Sequence, residues 1–280
     1  MHAGRNEPPL GDIGRQTACE PLGEGRYRAL VSDDWEIWGP CGGYVAAIAL
    51  RAAGEESPFG RPASFFCHYL AVADFAPVEL AVTALRSGRT VLAQRVEMTQ
   101  SGRPVLDAMV WSVGDVEGLE HGDLHPPDVA DPDALPAPPA RVGDDGPGYR
   151  YWDNFDQRLV DRIDPWPPAG PLPPTWRTWV RYRDAPALGD PWVDAARALV
   201  VLDVGSWPAG SRPHMYRTPP FIAPSLDLYA AFHGPSSEWL LLDAHSPVAG
   251  EGLLSWTGRI WSRSMGLVAS GGGQAVFRHT

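Results

Sequence analysis

The stretch "CGGYVAAIALRAAG", Cys41–Gly54, decides how the rest of the chain is read. Tyr44, Ala47, Ile48 and Leu50–Arg51 follow a 3.6-residue period, with Gly42–Gly43 before them and Gly54 after them. The pattern predicts a helix of about three turns. It is apolar almost all round, so it must be buried on nearly every side. A long helix buried in this way needs a curved sheet to wrap it.

The flanking sequence supplies the sheet. Before the helix, "GRYRALVSDDW" (25–35) alternates as a strand does. After it come "ASFFCHYLAV" (63–72), "PVELAVTALRSG" (77–88), "RTVLAQRVEMTQSG" (89–102) and "RPVLDAMVWSVG" (103–114). Each alternates, and hairpin-type turns, two of them Ser-Gly, join the last three. The order then repeats. "RYWDNFDQRLV" (150–160) and "TWRTWVRYRD" (175–184) precede a second helix, "PWVDAARALVVLD" (191–203). "PSLDLYAAFHG" (224–234), "EWLLLDAHSPVAG" (238–250), "LLSWTGRIWSRSMG" (253–266) and "LVASGGGQAVFR" (267–278) follow. At one constant offset Val105 matches Val268 and Trp111 matches Gln274. A helix and an antiparallel meander, stated twice, imply duplication of one α+β unit: a double hotdog.

Thirteen of the 30 prolines fall between Pro126 and Pro174, among many aspartates. The stretch 114–148 has no apolar period, which predicts a linker of extended segments laid over a surface. The expected organisation is an N-terminal tail (1–20), a first hotdog (21–114), a Pro/Asp-rich linker (115–148) and a second hotdog (149–280).

Composition removes several function classes. A net charge of −11 argues against nucleic acid and anionic membrane as partners. All 23 basic residues are arginine, so Schiff-base lysines, lysine-held pyridoxal and Walker loops are excluded. No run approaches a membrane span and the first residues lack the apolar core of a signal peptide, which predicts a cytoplasmic protein. Cys19, Cys41 and Cys67 have neither disulfide arithmetic nor metal spacing. The eight histidines show no paired metal spacing, so no metal is expected. No Gly-x-Ser-x-Gly elbow is present. Trp35, Trp38, Trp111, Trp179, Trp207 and Trp256 could line an acyl tunnel or fill the core. Arg86, Arg89 and Arg95 could meet phosphates or form a solvated strand face.

The segments "GGYVAAIALRAA" (42–53), "RPASFFCHYLAVADFAPVEL" (61–80), "SLDLYAAFHGPSSEWLLLDAHSPVAGEGL" (225–253) and "GRIWSRSMGLVAS" (258–270), with Gln274, resemble the thioesterase-II-like acyl-CoA thioesterases. The resemblance covers about residues 20–115 and 150–278. It implies hydrolysis of an acyl thioester by direct attack of water. The substrate would be acyl-CoA or an acyl group on a carrier protein; coenzyme A enters only as part of substrate and product, with no other cofactor. A homo-oligomer is expected by analogy. The family positions water with an aspartate, a hydroxyl residue and a glutamine, which fall here on Asp203, Ser225 and Gln274. The glycines beside Gln274 would then let substrate and water approach it. Gly42, Gly43 and Tyr44 open the first helix and are candidates for binding the oxyanion through backbone N–H groups. His68 and Asp227 are secondary candidates. A His–Asp pair in the pocket, with Gln274 far away, would favour a pathway-specific lyase or cyclase instead. Asp203 in an internal salt bridge would favour a non-catalytic acyl-binding protein.

Overall fold

A computed structural model describes residues 12–138, 149–183, 188–217 and 221–279. The beginning of the expected tail and the end of the expected linker lie outside the described residues. A single turn, α1 (Ile13–Gln16), leads into β1 (Glu20–Gly23) and β2 (Arg26–Leu30). The helix α2 (Gly42–Glu55) precedes β3 (Arg61–Tyr69), β4 (Pro77–Ser87), β5 (Val91–Gln100) and β6 (Arg103–Val113). The second half runs β7 (Phe155–Leu159), β8 (Thr175–Tyr182), α3 (Pro191–Asp203), the short α4 (Ser206–Ser211) and β9 (Phe221–Ile222). It closes with β10 (Asp227–Phe232), β11 (Trp239–Gly250), β12 (Leu253–Ser262), β13 (Leu267–Val276) and β14 (Arg278–His279), the last paired with β9.

Among the described residues twelve strands form one antiparallel sheet, ordered β1-β2-β4-β5-β6-β3-β10-β13-β12-β11-β8-β7. The order reads alike from both edges, as a tandem repeat requires. The halves join where β3 meets β10, with Phe66 opposite Tyr229 and Cys67 opposite Leu228. Both long helices pack against the same sheet and against each other. Tyr44 through Leu50 of α2 are all buried, and one hydrophobic core spans both halves. Asp190 caps α3, accepting the N–H groups of Trp192 and Val193, and Pro191 takes the position where no N–H is needed.

α2 and α3 run antiparallel in close contact. A β-carbon on Gly43 would lie 2.8 Å from the Leu199 carbonyl oxygen, and one on Gly54 would lie 2.8 Å from the Trp192 ring. Glycine at both ends of α2 is therefore a packing requirement.

The parity of the repeat holds strand by strand. Trp111 on β6 and Gln274 on β13 are exposed, whereas Ser112 and Ala275 beside them are buried. The described part of the linker covers the far half. Val129 and Leu135 pack on Trp179, Trp239, Leu241 and Trp261, and the Trp179 Nε1–H donates to the Ala130 carbonyl at 3.0 Å. Arg263 pairs with Asp131 at 2.8 Å. The last part of the expected tail is packed too, with Ile13 buried and Gln16 accepting the Trp35 Nε1–H at 2.7 Å. No helix among the described residues is long and apolar enough to cross a membrane.

Candidate active site

The antiparallel helices bring the last residue of α3 to the start of α2. Asp203, 5% exposed, accepts the Gly43 N–H on Oδ2 at 2.8 Å and the Ser225 hydroxyl on Oδ1 at 3.2 Å. An acid at its own helix's C-terminus meets a partial negative charge; the N-terminus of α2 supplies the opposite field. Burial pushes the Asp203 pKa up from the ordinary carboxylate value, and the Gly43 N–H and Ser225 hydroxyl partly oppose that rise. No cation contributes among the described residues, so the carboxylate is not part of an internal salt bridge. Ser225 is held by pairing with Ala275 and by the Leu226 N–H, which donates to the Gln274 carbonyl at 2.7 Å.

A cavity of about 350 Å³ opens beside this carboxylate. Gly42, Tyr69, Asp203 and Ser225 form its polar end, and Val45, Val105, Trp38, Trp152, Trp207 and Phe221 supply apolar wall. Arg278, exposed, stands where the wall meets solvent. Such a space suits an apolar group with its reacting end at the polar side.

The structure brings together Asp203 and Ser225, with Gly42 and Gly43 adjacent. Gln274 does not join them. Its side chain is exposed, with Nε2 at 3.5 Å from Ser255 Oγ, while Gly273 and Ala275 take the opposite face of β13. The physical reason is parity: one residue along a strand reverses the face. Nor do the neighbouring glycines serve substrate approach. A β-carbon on Gly271, Gly272 or Gly273 would lie 2.1, 2.3 or 2.3 Å from the backbone oxygen of Tyr229, Trp256 or Asp227. Adjacent strands require these glycines.

Other expectations are corrected by the same geometry. The Gly43 N–H is occupied by Asp203. Tyr44 is fully buried in structural bonds, its hydroxyl donating to the Gln16 and Leu30 carbonyls at 2.8 and 3.0 Å and its ring stacked on Trp35. Its N–H goes to the Cys41 carbonyl at 3.1 Å. His68 is exposed and sits opposite Asp107 and Asp227, so the His–Asp neighbours lie outside the cavity. Asp227 accepts the Gln274 N–H at 2.9 Å and thereby holds β10 to β13. Trp38 and Trp207 line the cavity, but Trp35, Trp179 and Trp256 are core residues and Trp111 is on the outer face. Arg95 is engaged by Asp107 at 2.7 Å.

Sequence reasoning missed Tyr69, whose buried hydroxyl reaches the polar end of the cavity. In "FFCHYL" it reads as one more core aromatic. The parity it shares with buried Cys67 was the available signal.

Models of the acyl-CoA thioesterase N-terminal and C-terminal domains match residues 31–113 and 130–276. The chain belongs to the acyl-CoA thioesterase family. Its structure is similar to that of acyl-CoA thioesterase II TesB2 from Mycobacterium marinum, at 25% identity over 96% of this chain and 98% of that one, TM-score 0.78. A tesB protein from Mycobacterium avium subsp. paratuberculosis shares the fold at 21% identity, covering 96% and 99%, TM-score 0.79. A hot dog fold protein of unknown function from Alicyclobacillus acidocaldarius does so at 20% identity, covering 96% and 98%, TM-score 0.77. This acyl-CoA thioesterase family member is thus a thioester hydrolase on a double hotdog.

Proposed function

We propose that the chain hydrolyses acyl-CoA by direct attack of a water that Asp203 deprotonates, with Ser225 orienting it. The observation that carries this is a buried carboxylate, unpaired with any cation among the described residues, facing the polar end of an apolar cavity. The water oxygen attacks the thioester carbonyl carbon while Asp203 takes its proton, and the carbonyl π pair moves onto oxygen. Collapse of that oxyanion breaks the C–S bond; the thiolate leaves and recovers the proton from Asp203. The acyl chain lies against Val45, Val105 and Trp207, which exclude bulk water from the reacting end. Arg278, at the solvent edge, offers a cation to the phosphates of coenzyme A.

A thiol-release assay over a panel of acyl-CoA esters tests the substrate. Asp203→Asn keeps the shape and removes the base, so kcat falls about 10²–10⁴-fold with little change in KM. Near-wild-type turnover by the folded variant refutes the mechanism. Arg278→Ala raises KM for acyl-CoA at unchanged kcat; an unchanged KM removes the arginine from the phosphate site.

A further inference from the structure

Around Asp203 two of the donors are directed at the carboxylate itself, and the Gly42 N–H is the one backbone donor at the start of α2 left for another acceptor among the described residues. The Gly43 N–H and the Ser225 O–H both point at it, and the Tyr44 N–H is bound to Cys41. An oxyanion formed in this poorly solvated space needs a donor of its own, because the Gly43 and Ser225 hydrogens are directed at the Asp203 carboxyl. Tyr69 supplies a candidate. It ends β3 at the seam between the halves, where its N–H donates to the Leu226 carbonyl at 3.0 Å, next to Ser225. Its hydroxyl is buried and makes no hydrogen bond of normal geometry among the described residues. The Cys67 thiol, two residues back on the same face, is within hydrogen-bonding reach of it and is a weak partner that a carbonyl oxygen would displace. A β-carbon on Gly42 would stand 3.1 Å from Tyr69 Oη and 3.0 Å from Asp203 Oδ2. Hydroxyl and carboxylate therefore face each other across the side-chain-free start of α2, on the cavity wall.

We propose that Tyr69 is a further catalytic residue, its O–H donating to the thioester carbonyl oxygen and to the oxyanion that replaces it. The assignment rests on the thioester-hydrolysis reading above. It explains why a phenol hydroxyl is buried here with only a thiol, a weak partner, beside it. It also explains why glycine holds position 42, since any side chain there would fill the space between the donor and the base. Burial first, then the neighbouring Cys67 and Asp203, hold the Tyr69 pKa well above the usual phenol value, so the proton stays available for donation.

Tyr69→Phe removes one oxygen and keeps the ring. The expected result is a fall in kcat of about 10²–10³-fold, with KM and the melting transition nearly unchanged. A folded Tyr69→Phe with wild-type kcat overturns the assignment. A spectroscopic arm reads the hydrogen bond itself. With the ketone analogue of the best acyl-CoA substrate, in which CH₂ replaces the thioester sulfur, the carbonyl stretch is lowered in the wild-type complex and returns toward its solution value in Tyr69→Phe. An unchanged stretch overturns the assignment. Should Tyr69→Phe fail to fold, 3,5-difluorotyrosine at position 69 keeps the shape and strengthens the donor. It must lower the stretch further, and no change again overturns the proposal. If Asp203→Asn is inactive while Tyr69→Phe is normal, the tyrosine assignment alone fails. If the wild type hydrolyses no acyl-CoA, both fail together.

Discussion

The proposed reaction needs Asp203 ionised in a place where burial disfavours the charge, and two measurable consequences follow. The base must be charged to act, so kcat/KM falls as pH drops through a value above the ordinary carboxylate pKa. An acid limb at the ordinary value, or none, contradicts this. Stability moves the other way. The folded state holds this proton more tightly than the unfolded chain does, so the contribution of the group is lost as pH rises through its raised pKa. Asp203→Asn should therefore melt higher than wild type at neutral pH, with the gap closing toward acid; calorimetry across pH checks it. Ser225→Ala should cost less turnover than Asp203→Asn and add little to it, since groups acting on one water behave as a unit. Asp203 was legible in the sequence because an acid directly after "ALVVL" is at odds with both burial and its own helix field. Its remedy, the Gly43 N–H 160 positions away, was not, because sequence carries no sign of which helix start meets which helix end.

The buried helix and the strands were readable from periodicity, but the roles of single residues on them required the register. Trp111 and Gln274 match in the repeat, and an outward tryptophan already implies an outward glutamine. The resemblance places the family's glutamine on Gln274, and the register of β13 turns that side chain to the outer face. Gln274→Ala should therefore keep kcat within about twofold, as expected of an exposed side chain away from the reacting atoms. A loss approaching that of Asp203→Asn would restore the glutamine to the site. Gly43→Ala should do the reverse. Its β-carbon meets the α3 backbone, so it costs about 1–3 kcal/mol of stability in a denaturant titration and lowers kcat by moving the Asp203 donor.

At the scale of the whole chain, the β3–β10 pairing makes the site a joint product of both halves. Gly42, Gly43 and Tyr69 come from one, Asp203 and Ser225 from the other. The described linker is more than a tether, because Val129 and Leu135 cover four buried core residues. Removing 129–135 should lower the melting temperature, whereas trimming 116–124 should leave it nearly unchanged; equal effects would contradict the cover. The duplicated architecture also prescribes a mate for the site, where the start of α3 meets the end of α2. There Trp192 lies flat against Gly54, with its Nε1–H on the Phe59 carbonyl at 3.3 Å, and fills the room that Gly42 leaves open at the other end. An indole therefore occupies the equivalent position at the other end of the helix pair, so isothermal titration with a non-hydrolysable acyl-CoA should saturate at a single equivalent per chain, not two.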